Sequence, residues 1–186
     1  MTLELLRRKF TIQEYHQMLD SGIIAMDERI ELLKGEIIAM SPIGIKHAAC
    51  VRRLNNILSQ HLQGEAIIDI QNPLELDNLS EPQPDIALLK PRADFYATAH
   101  PQSKDIFLII EVADRTVKSD REVKIPLYAE NQIAEVWLVD INGESIEVYR
   151  EPRNNKYQTV FCFRRGQTLS PLVFSPVNIA VKDILG

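Results

Sequence analysis

Apolar residues follow two different patterns along the chain, periodic spacing and continuous runs, and together they predict a mixture of helices and strands. In the segment 46–62 they recur at intervals of three and four residues, the pattern of a helix with one buried face. The segments 86–89 and 106–112 are continuous runs rich in Ile, Leu and Val, which suit strands buried on both faces. The pattern therefore predicts an α/β (α+β) protein whose inner strands are covered on both sides.

The N-terminal part predicts a short helix followed by a hairpin. Thr11 and Glu14 have the spacing of a capping box, and apolar residues follow at helical spacing until the helix ends near Ser21. The segments 29–33 and 36–40 flank Lys34-Gly35, a two-residue connection with glycine that suits a tight turn.

Further along the chain, the pattern predicts a helix and then a second hairpin. Proline is tolerated in the first turn of a helix but not in its interior, so Pro126 predicts a helix that starts near Glu122 or Val123. The segment 134–140 reads as a strand, and Asn142-Gly143 indicates a type I′ turn after it.

The composition is that of an ordinary globular protein, and it argues against membrane-spanning, secreted and disulfide-rich proteins. At 186 residues, 45% hydrophobic and 25% charged, we expect a single domain over residues 1–186. No run approaches the roughly 20 apolar residues that span a bilayer, and Met1–Phe10 has neither the apolar core nor the cleavage site of a secretion signal. We therefore expect a cytoplasmic protein with no membrane association. Cys50 and Cys162 lie in no metal-binding or disulfide motif, and we expect both to be reduced core residues.

Two carboxylates stand at the ends of the buried runs. Asp85 precedes the first run and Glu111 lies next to the end of the second. A buried lone carboxylate costs several kcal/mol or takes up a proton, but two of them can share a cation, and oxygen ligands suit Mg²⁺. The alternative is that each carboxylate caps its strand end in water.

An ordered series of short motifs runs along the chain. The motifs are Glu31-Leu-Leu-Lys-Gly-Glu36, Met40-Ser-Pro42, His47, Pro84-Asp85, Glu111-Val112, Lys124-x-x-x-Tyr128 and Glu135-Val-Trp-Leu-Val-Asp140. From about Tyr15 to Val148, this series resembles the bacterial putative restriction endonucleases, a branch of the PD-(D/E)XK nuclease superfamily.

The resemblance implies a restriction-endonuclease-like core, with a mixed central sheet flanked by helices and a Mg²⁺-dependent phosphodiesterase site. Asp85 and Glu111 would be the metal ligands, together with the backbone carbonyl of Val112. The superfamily's usual lysine lies two residues after the Glu, where this chain has Ala113. Lys124 is the candidate replacement, although a surface ion pair with Asp120 at i, i+4 is the alternative.

Other residues are weaker candidates. The resemblance places Glu36, His47 and Tyr128 as candidate lining of the same cleft, but Glu36 could also be a hairpin surface residue and His47 a solvated residue at a helix start. A further group could contact a phosphate backbone or could form a solvated loop: Arg115, Lys118 and Arg121.

Two functions of different classes remain open from the sequence. The first is a metal-dependent endonuclease that hydrolyses DNA phosphodiester bonds with Mg²⁺ or Mn²⁺ and no organic cofactor, acting as a homodimer because double-strand cleavage needs two centres. The second is a non-catalytic nucleic-acid-binding or assembly module that keeps the nuclease fold. Ala113 and the net charge of -5 favour the second, since nucleic-acid-binding domains are usually basic.

Overall fold

A mixed sheet forms the centre of the molecule. The computed structural model describes residues 7–25 and 27–186, and within these residues six strands lie in the spatial order β3-β4-β5-β6-β7-β8. Only β5 and β6 run parallel to each other in this sheet, and the other neighbours are antiparallel. The predicted mixed central sheet is confirmed. The strand bounds are β3 Ile67–Asp69, β4 Ile86–Leu89, β5 Ile106–Ala113, β6 Glu135–Asp140, β7 Ser145–Arg153 and β8 Lys156–Arg164.

Helices cover both faces of this sheet, which explains the continuous apolar runs of β4 and β5. Helix α2 (Ile45–His61) packs Leu54 and Leu58 against one face, where α5 (Val181–Leu185) also lies. Helix α4 (Ile125–Glu130) packs against the other face. Strands that are buried on both faces have no polar side to alternate with.

The N-terminal elements agree with the sequence pattern. Helix α1 (Ile12–Asp20) begins at a capping box, and strands β1 (Ile30–Leu33) and β2 (Glu36–Ala39) form an antiparallel hairpin. Lys34 and Gly35 at its turn have φ angles of 51° and 78°, the left-handed conformation that a type I′ turn requires.

The β1–β2 hairpin is held against the rest of the molecule by backbone hydrogen bonds. Leu32 and Glu81 exchange N–H···O=C bonds of 3.3 and 2.7 Å. Because side chains alternate along a strand, this pairing buries Leu32 in the N-terminal apolar cluster and directs its neighbour Glu31 elsewhere.

The hairpin of β6 and β7 exists, but its predicted type I′ turn is wrong. Asp140 pairs with Ser145, which leaves a four-residue loop, and the positive φ of 48° falls on Glu144 rather than on Asn142 or Gly143. Asn142 instead donates its side-chain N–H to the backbone oxygen of Asp114. This tertiary hydrogen bond replaces the local turn geometry that an Asn-Gly pair favours.

The helix that carries Lys124 begins earlier than Pro126 predicts. Helical structure starts with α3 (Val117–Ser119), widens into a π-helical turn over Asp120–Lys124, and continues as α4. Within the π turn, the N–H of Ile125 bonds to the oxygen of Asp120, five residues back. Because a wide turn accommodates a proline ring that would otherwise clash with the preceding turn, Pro126 lies inside the helical segment.

The remaining elements are short. A 3₁₀ turn covers Ser103–Asp105, and strands β9 (Thr168–Leu169) and β10 (Ile179–Ala180) form a small antiparallel pair. Cys50 is buried but Cys162 is exposed, which corrects the expectation that both are core residues. Among the helices of the described residues, none is long and apolar enough to cross a membrane. Most of the segment on which the absence of a secretion signal rests, residues 1–6, lies outside the described residues.

Candidate active site

A cleft of about 560 Å³ opens at one end of the central sheet. It lies where β4 begins and β5 ends, because these strands are antiparallel and Ile86 pairs with Ile110. That register brings Asp85 level with Glu111, and both side chains line the cleft. The two carboxylates therefore belong to one site on neighbouring strands.

Asp85 is buried and held by several hydrogen bonds. Its Oδ2 accepts the backbone N–H of Val112 at 2.9 Å, and its Oδ1 accepts the side-chain amide of Gln71 at 3.1 Å. His47 Nε2 lies 3.0 Å from the carboxylate. Burial would raise the pKa of Asp85, but the hydrogen bonds, led by that of His47, outweigh burial and lower it.

His47 comes from the first turns of α2 and faces the cleft. Its hydrogen bond to Asp85 raises the pKa of the imidazole, although burial opposes the rise. Since an ionised carboxylate can only accept, Nε2 carries a proton and donates. The other ring nitrogen, Nδ1, is buried and has no hydrogen-bond partner within the described part of the chain.

Glu111 lies deeper than Asp85 and is contacted by two donors. Tyr128 donates its hydroxyl to Oε1 at 2.5 Å, and Lys124 Nζ lies 3.2 Å from the same oxygen. Burial raises the pKa of Tyr128 well above its ordinary value, so the phenol keeps its proton and remains a donor. Both contacts use Oε1, so neither occupies Oε2.

Lys124 is buried between two carboxylates rather than paired with Asp120 on the surface. Its Nζ lies 3.1 Å from Glu31 Oε2 and 3.2 Å from Glu111 Oε1. Ala113, where the resemblance would place a lysine, is fully buried in the apolar cluster that Tyr128 also joins. The helical segment that packs against this cluster brings Lys124 to Glu111 instead.

The charges around Lys124 hold it in its ammonium form. Burial would lower the pKa of Lys124, but the carboxylates around it, led by Glu111 and Glu31, outweigh burial and raise the pKa well above its ordinary value. Burial also raises the pKa of Glu111, and the charge of Lys124 opposes that rise. An ammonium 3.2 Å away favours the ionised carboxylate, but burial outweighs it and raises the pKa of Glu111 to about 8.

Glu31 is a site residue that the sequence analysis missed. It lies in β1, is buried, and its Oε2 also accepts the backbone N–H of Gln83 at 3.1 Å. The signal was the same one that identified Asp85 and Glu111, a single carboxylate beside apolar residues in the run Ile30–Leu33. Its placement in the site depends on how the β1–β2 hairpin packs, which the run itself does not encode.

Of the weaker candidates Arg115, Lys118, Arg121 and Glu36, only Arg115 lines the cleft. Arg115 is exposed and lines the cleft, whereas Lys118 is exposed on α3 outside the cleft lining and Arg121 binds Glu147 at 2.7 Å. Glu36 does not line the cleft either, which corrects the expectation that it is a cleft residue. It lies on β2 within 3.6 Å of Arg7 and 3.8 Å of Lys9. Because Glu36 pairs with Leu33, it shares a face of the hairpin with Glu31, but it lies beside the turn, where these two cations reach it.

A family model described as "Uma2: Putative restriction endonuclease" matches residues 12–182. The chain belongs to the Uma2 family. The match includes every element from α1 to the start of α5, so the residues of the cleft all lie within it. No curated protein matches the chain.

A solved structure supports the fold of this Uma2 chain independently. It is the crystal structure of a putative nuclease belonging to DUF820 from Anabaena variabilis ATCC 29413. The two chains are 19% identical, the TM-score is 0.74, and the alignment covers 95% of this chain and 97% of the other. At this identity the likeness shows a shared fold.

The donor groups of the Uma2 cleft fit a divalent cation. Within residues 7–25 and 27–186, no group of three or more His, Cys, Asp and Glu side chains is arranged to hold a metal ion. Mg²⁺ does not need such a cage, because it binds through one or two carboxylates and keeps several waters. Asp85, Glu111 and the Val112 carbonyl are suitable donors. On Glu111 the contacts of Tyr128 and Lys124 leave Oε2 open, whereas on Asp85 an ion would compete with His47.

Proposed function

We propose that the protein is a metal-dependent endonuclease that hydrolyses DNA phosphodiester bonds. The observation that carries the proposal is the convergence of Asp85, Glu111 and Lys124 at one end of the sheet, inside a cleft of a chain that belongs to a nuclease family. Two carboxylates can hold a metal ion that assists phosphodiester hydrolysis, and a fixed cation can stabilise the negative charge that develops on the phosphate.

Each residue has a distinct part in this proposal. Asp85, Glu111 and the Val112 carbonyl would hold Mg²⁺ or Mn²⁺, which when bound polarises a phosphoryl oxygen and lowers the pKa of water. Lys124 supplies a fixed positive charge beside Glu111, where it orients the attacking water and stabilises negative charge that develops on the phosphate. His47 and Gln71 orient Asp85 through the hydrogen bonds they donate.

A non-catalytic nucleic-acid-binding module remains the second candidate. It is favoured by the ion pairs that engage Lys124 on two sides, since a lysine held in this way also serves as a structural residue. The acidic total charge of -5 points in the same direction. Cleavage activity distinguishes the two functions.

The test compares three variants with the parent protein. Lys124→Ala should keep Mn²⁺ affinity and lose cleavage by roughly 10²–10⁴-fold, as for a lost acid–base or charge-positioning group. Asp85→Ala should lose both cleavage and metal affinity. Lys118→Ala is the matched control, because Lys118 is an exposed lysine of the same helical segment outside the cleft.

Lys124→Ala leaves two buried carboxylates without their cation, so its folding must be measured beside its activity. Breaking a buried ion pair costs about 3–5 kcal/mol of unfolding free energy, and the assay temperature should lie well below the melting temperature of the variant. A folded Lys124→Ala protein that cuts DNA as fast as the parent would remove Lys124 from the mechanism. A parent protein that binds Mn²⁺ but cuts no DNA would favour the non-catalytic module.

A homodimer is part of the same proposal, because cutting both strands of a duplex needs two centres. The outer strand β8 supports self-association, since it is an edge of the sheet and exposes Val160 and Phe161. Sedimentation equilibrium of the parent and of Val160→Glu tests it, and a monomeric parent would contradict it.

A further inference from the structure

Apolar side chains form part of the cleft lining, and the chemistry proposed for the carboxylates does not use them. This part of the lining, here called the apolar rim, consists of Ile38, Met40, Pro42, Ile43 and Val123. Ile38, Ile43 and Val123 are large apolar side chains with 39%, 43% and 40% of their surface exposed. A group of exposed apolar side chains that lines the same cleft as charged residues is typical of a site whose ligand has an apolar part.

The rim is held in place rather than loosely attached. Met40 donates its backbone N–H to the oxygen of Arg29 at 2.8 Å, and the Arg29 guanidinium donates to the oxygen of Ser41 at 3.1 Å. At the end of the rim, a Cβ built on Gly44 would lie 3.1 Å from the carboxylate of Asp114. The chain that follows the rim therefore lies close to Asp114, where the end of β5 leads into α3.

The charge of the cleft is unsuited to the two backbones of a duplex. Of the described residues that line it, five are acidic and three are Lys or Arg. Lys124 is buried in ion pairs, so Arg29 and Arg115 are the exposed cations of this lining. Duplex binding rests on many phosphate contacts from Lys and Arg, which two arginines do not provide.

An unpaired strand fits both observations, because it brings one phosphate backbone rather than two to the arginines of the cleft and leaves the flat faces of its bases free to pack against protein side chains. Ile, Met and Pro are among the apolar side chains that proteins place against unstacked bases. From the apolar rim, the acidic cleft and its two exposed arginines, we infer that the substrate presents unpaired nucleotides at the phosphate that is cut, with their bases against the rim. This inference rests on the proposed function, whose substrate it specifies.

The experiment presents one DNA sequence in three forms, which are a single strand, a full duplex and a duplex with a short unpaired bulge. Cleavage is measured with Mn²⁺, and binding is measured separately by fluorescence anisotropy in EDTA. We expect the single strand and the bulge to be cut faster than the duplex, at their unpaired positions. Ile38→Ser/Ile43→Ser should lower kcat/KM on the unpaired forms by about 10-fold, the loss typical of one base contact.

A matched control separates the rim from apolar surface in general. Val173→Ser removes a side chain of 51% exposure that does not line the cleft, and should leave kcat/KM unchanged. Melting temperatures of both variants should stay near that of the parent, since the substituted side chains are partly exposed.

The outcomes separate this inference from the proposed function. A duplex that is cut as fast as the single strand, or a rim variant equal to the parent, would overturn the inference and leave the endonuclease in place. If no form is cut but the single strand binds in a rim-dependent way, the endonuclease fails and the assignment of the rim to unpaired bases stands. If no form is cut and binding does not depend on the rim, both the inference and the proposed endonuclease function are overturned. If the single strand is cut and the bulged duplex is not, the unpaired nucleotides of the substrate belong to free single strands rather than to branched DNA.

Discussion

At the scale of single residues, the site is organised around a lysine that stands between two buried carboxylates. Glu31 and Glu111 lie on different strands, and Lys124 is within 3.2 Å of both. Glu31 also accepts the N–H of Gln83, which fixes its side chain. Glu31 is thus positioned to hold the ammonium of Lys124 in one orientation beside Glu111.

We therefore expect Glu31→Gln to lower kcat by about 10- to 100-fold, the usual effect of removing a group that orients a catalytic residue. KM and Mn²⁺ affinity should change little, because Glu31 is not proposed to contact the ion. Steady-state kinetics and calorimetric titration with Mn²⁺ measure these quantities. Glu36→Gln is the control on the same hairpin, since Glu36 makes only exposed ion pairs, which contribute at most about 1 kcal/mol. Equal effects of the two substitutions would exclude a positioning role.

At the scale of elements, the π turn over Asp120–Lys124 sets the direction in which Lys124 projects. One additional residue per turn rotates the following side chains by roughly 100° relative to an α-helix. The turn occurs directly before Pro126, which lacks the N–H that would bond to the preceding turn. The proline and the wide turn are therefore parts of one local arrangement.

Pro126→Ala restores an N–H and removes the clash, so the segment can close into a regular α-helix. We expect the melting temperature to stay the same or to rise, and cleavage to fall because Lys124 turns away from Glu111. Circular dichroism and a cleavage assay measure the two effects. If the variant cuts at the parent rate, the π turn has no part in placing Lys124.

At the scale of the whole molecule, the packing buries more negative than positive charge at one end of the sheet. The cleft contains four buried acidic residues and one buried lysine, Lys124. The acidic residues are Glu31 on β1, Asp85 at the start of β4, Glu111 near the end of β5 and Asp120 in the π turn. Repulsion among them lowers the stability of the fold, and a bound divalent cation would relieve it.

Mg²⁺ or Mn²⁺ should therefore raise the melting temperature. At a concentration of 100 Kd the stabilisation is about 2.7 kcal/mol, which corresponds to roughly 5–10 °C for a chain of this size. Differential scanning fluorimetry with and without metal measures the shift. Asp85→Ala should abolish it, while Asp94→Ala, which removes an exposed carboxylate outside the cleft lining, should not. A full shift in Asp85→Ala would show that the ion binds elsewhere.

Local patterns predicted the elements well but failed where tertiary contacts replaced local geometry. The capping box at Thr11 and the turn at Lys34-Gly35 form as expected, because each satisfies its own hydrogen bonds within a few residues. Asn142 does not form its expected turn, since it bonds instead to Asp114, 28 residues away. A sequence pattern describes the local alternatives but not which distant group competes with them.

The sequence by itself determined that Asp85 and Glu111 stand at the ends of buried strands, because an apolar run defines a strand and a carboxylate at its margin marks where the strand leaves the core. It also determined that Lys124 belongs to a helical segment. Only the tertiary structure decided that Glu31 and His47 join the site and that Glu36 does not. Those placements depend on how the β1–β2 hairpin and α2 pack against the sheet, and the free energy of that packing comes from contacts between residues far apart in the chain.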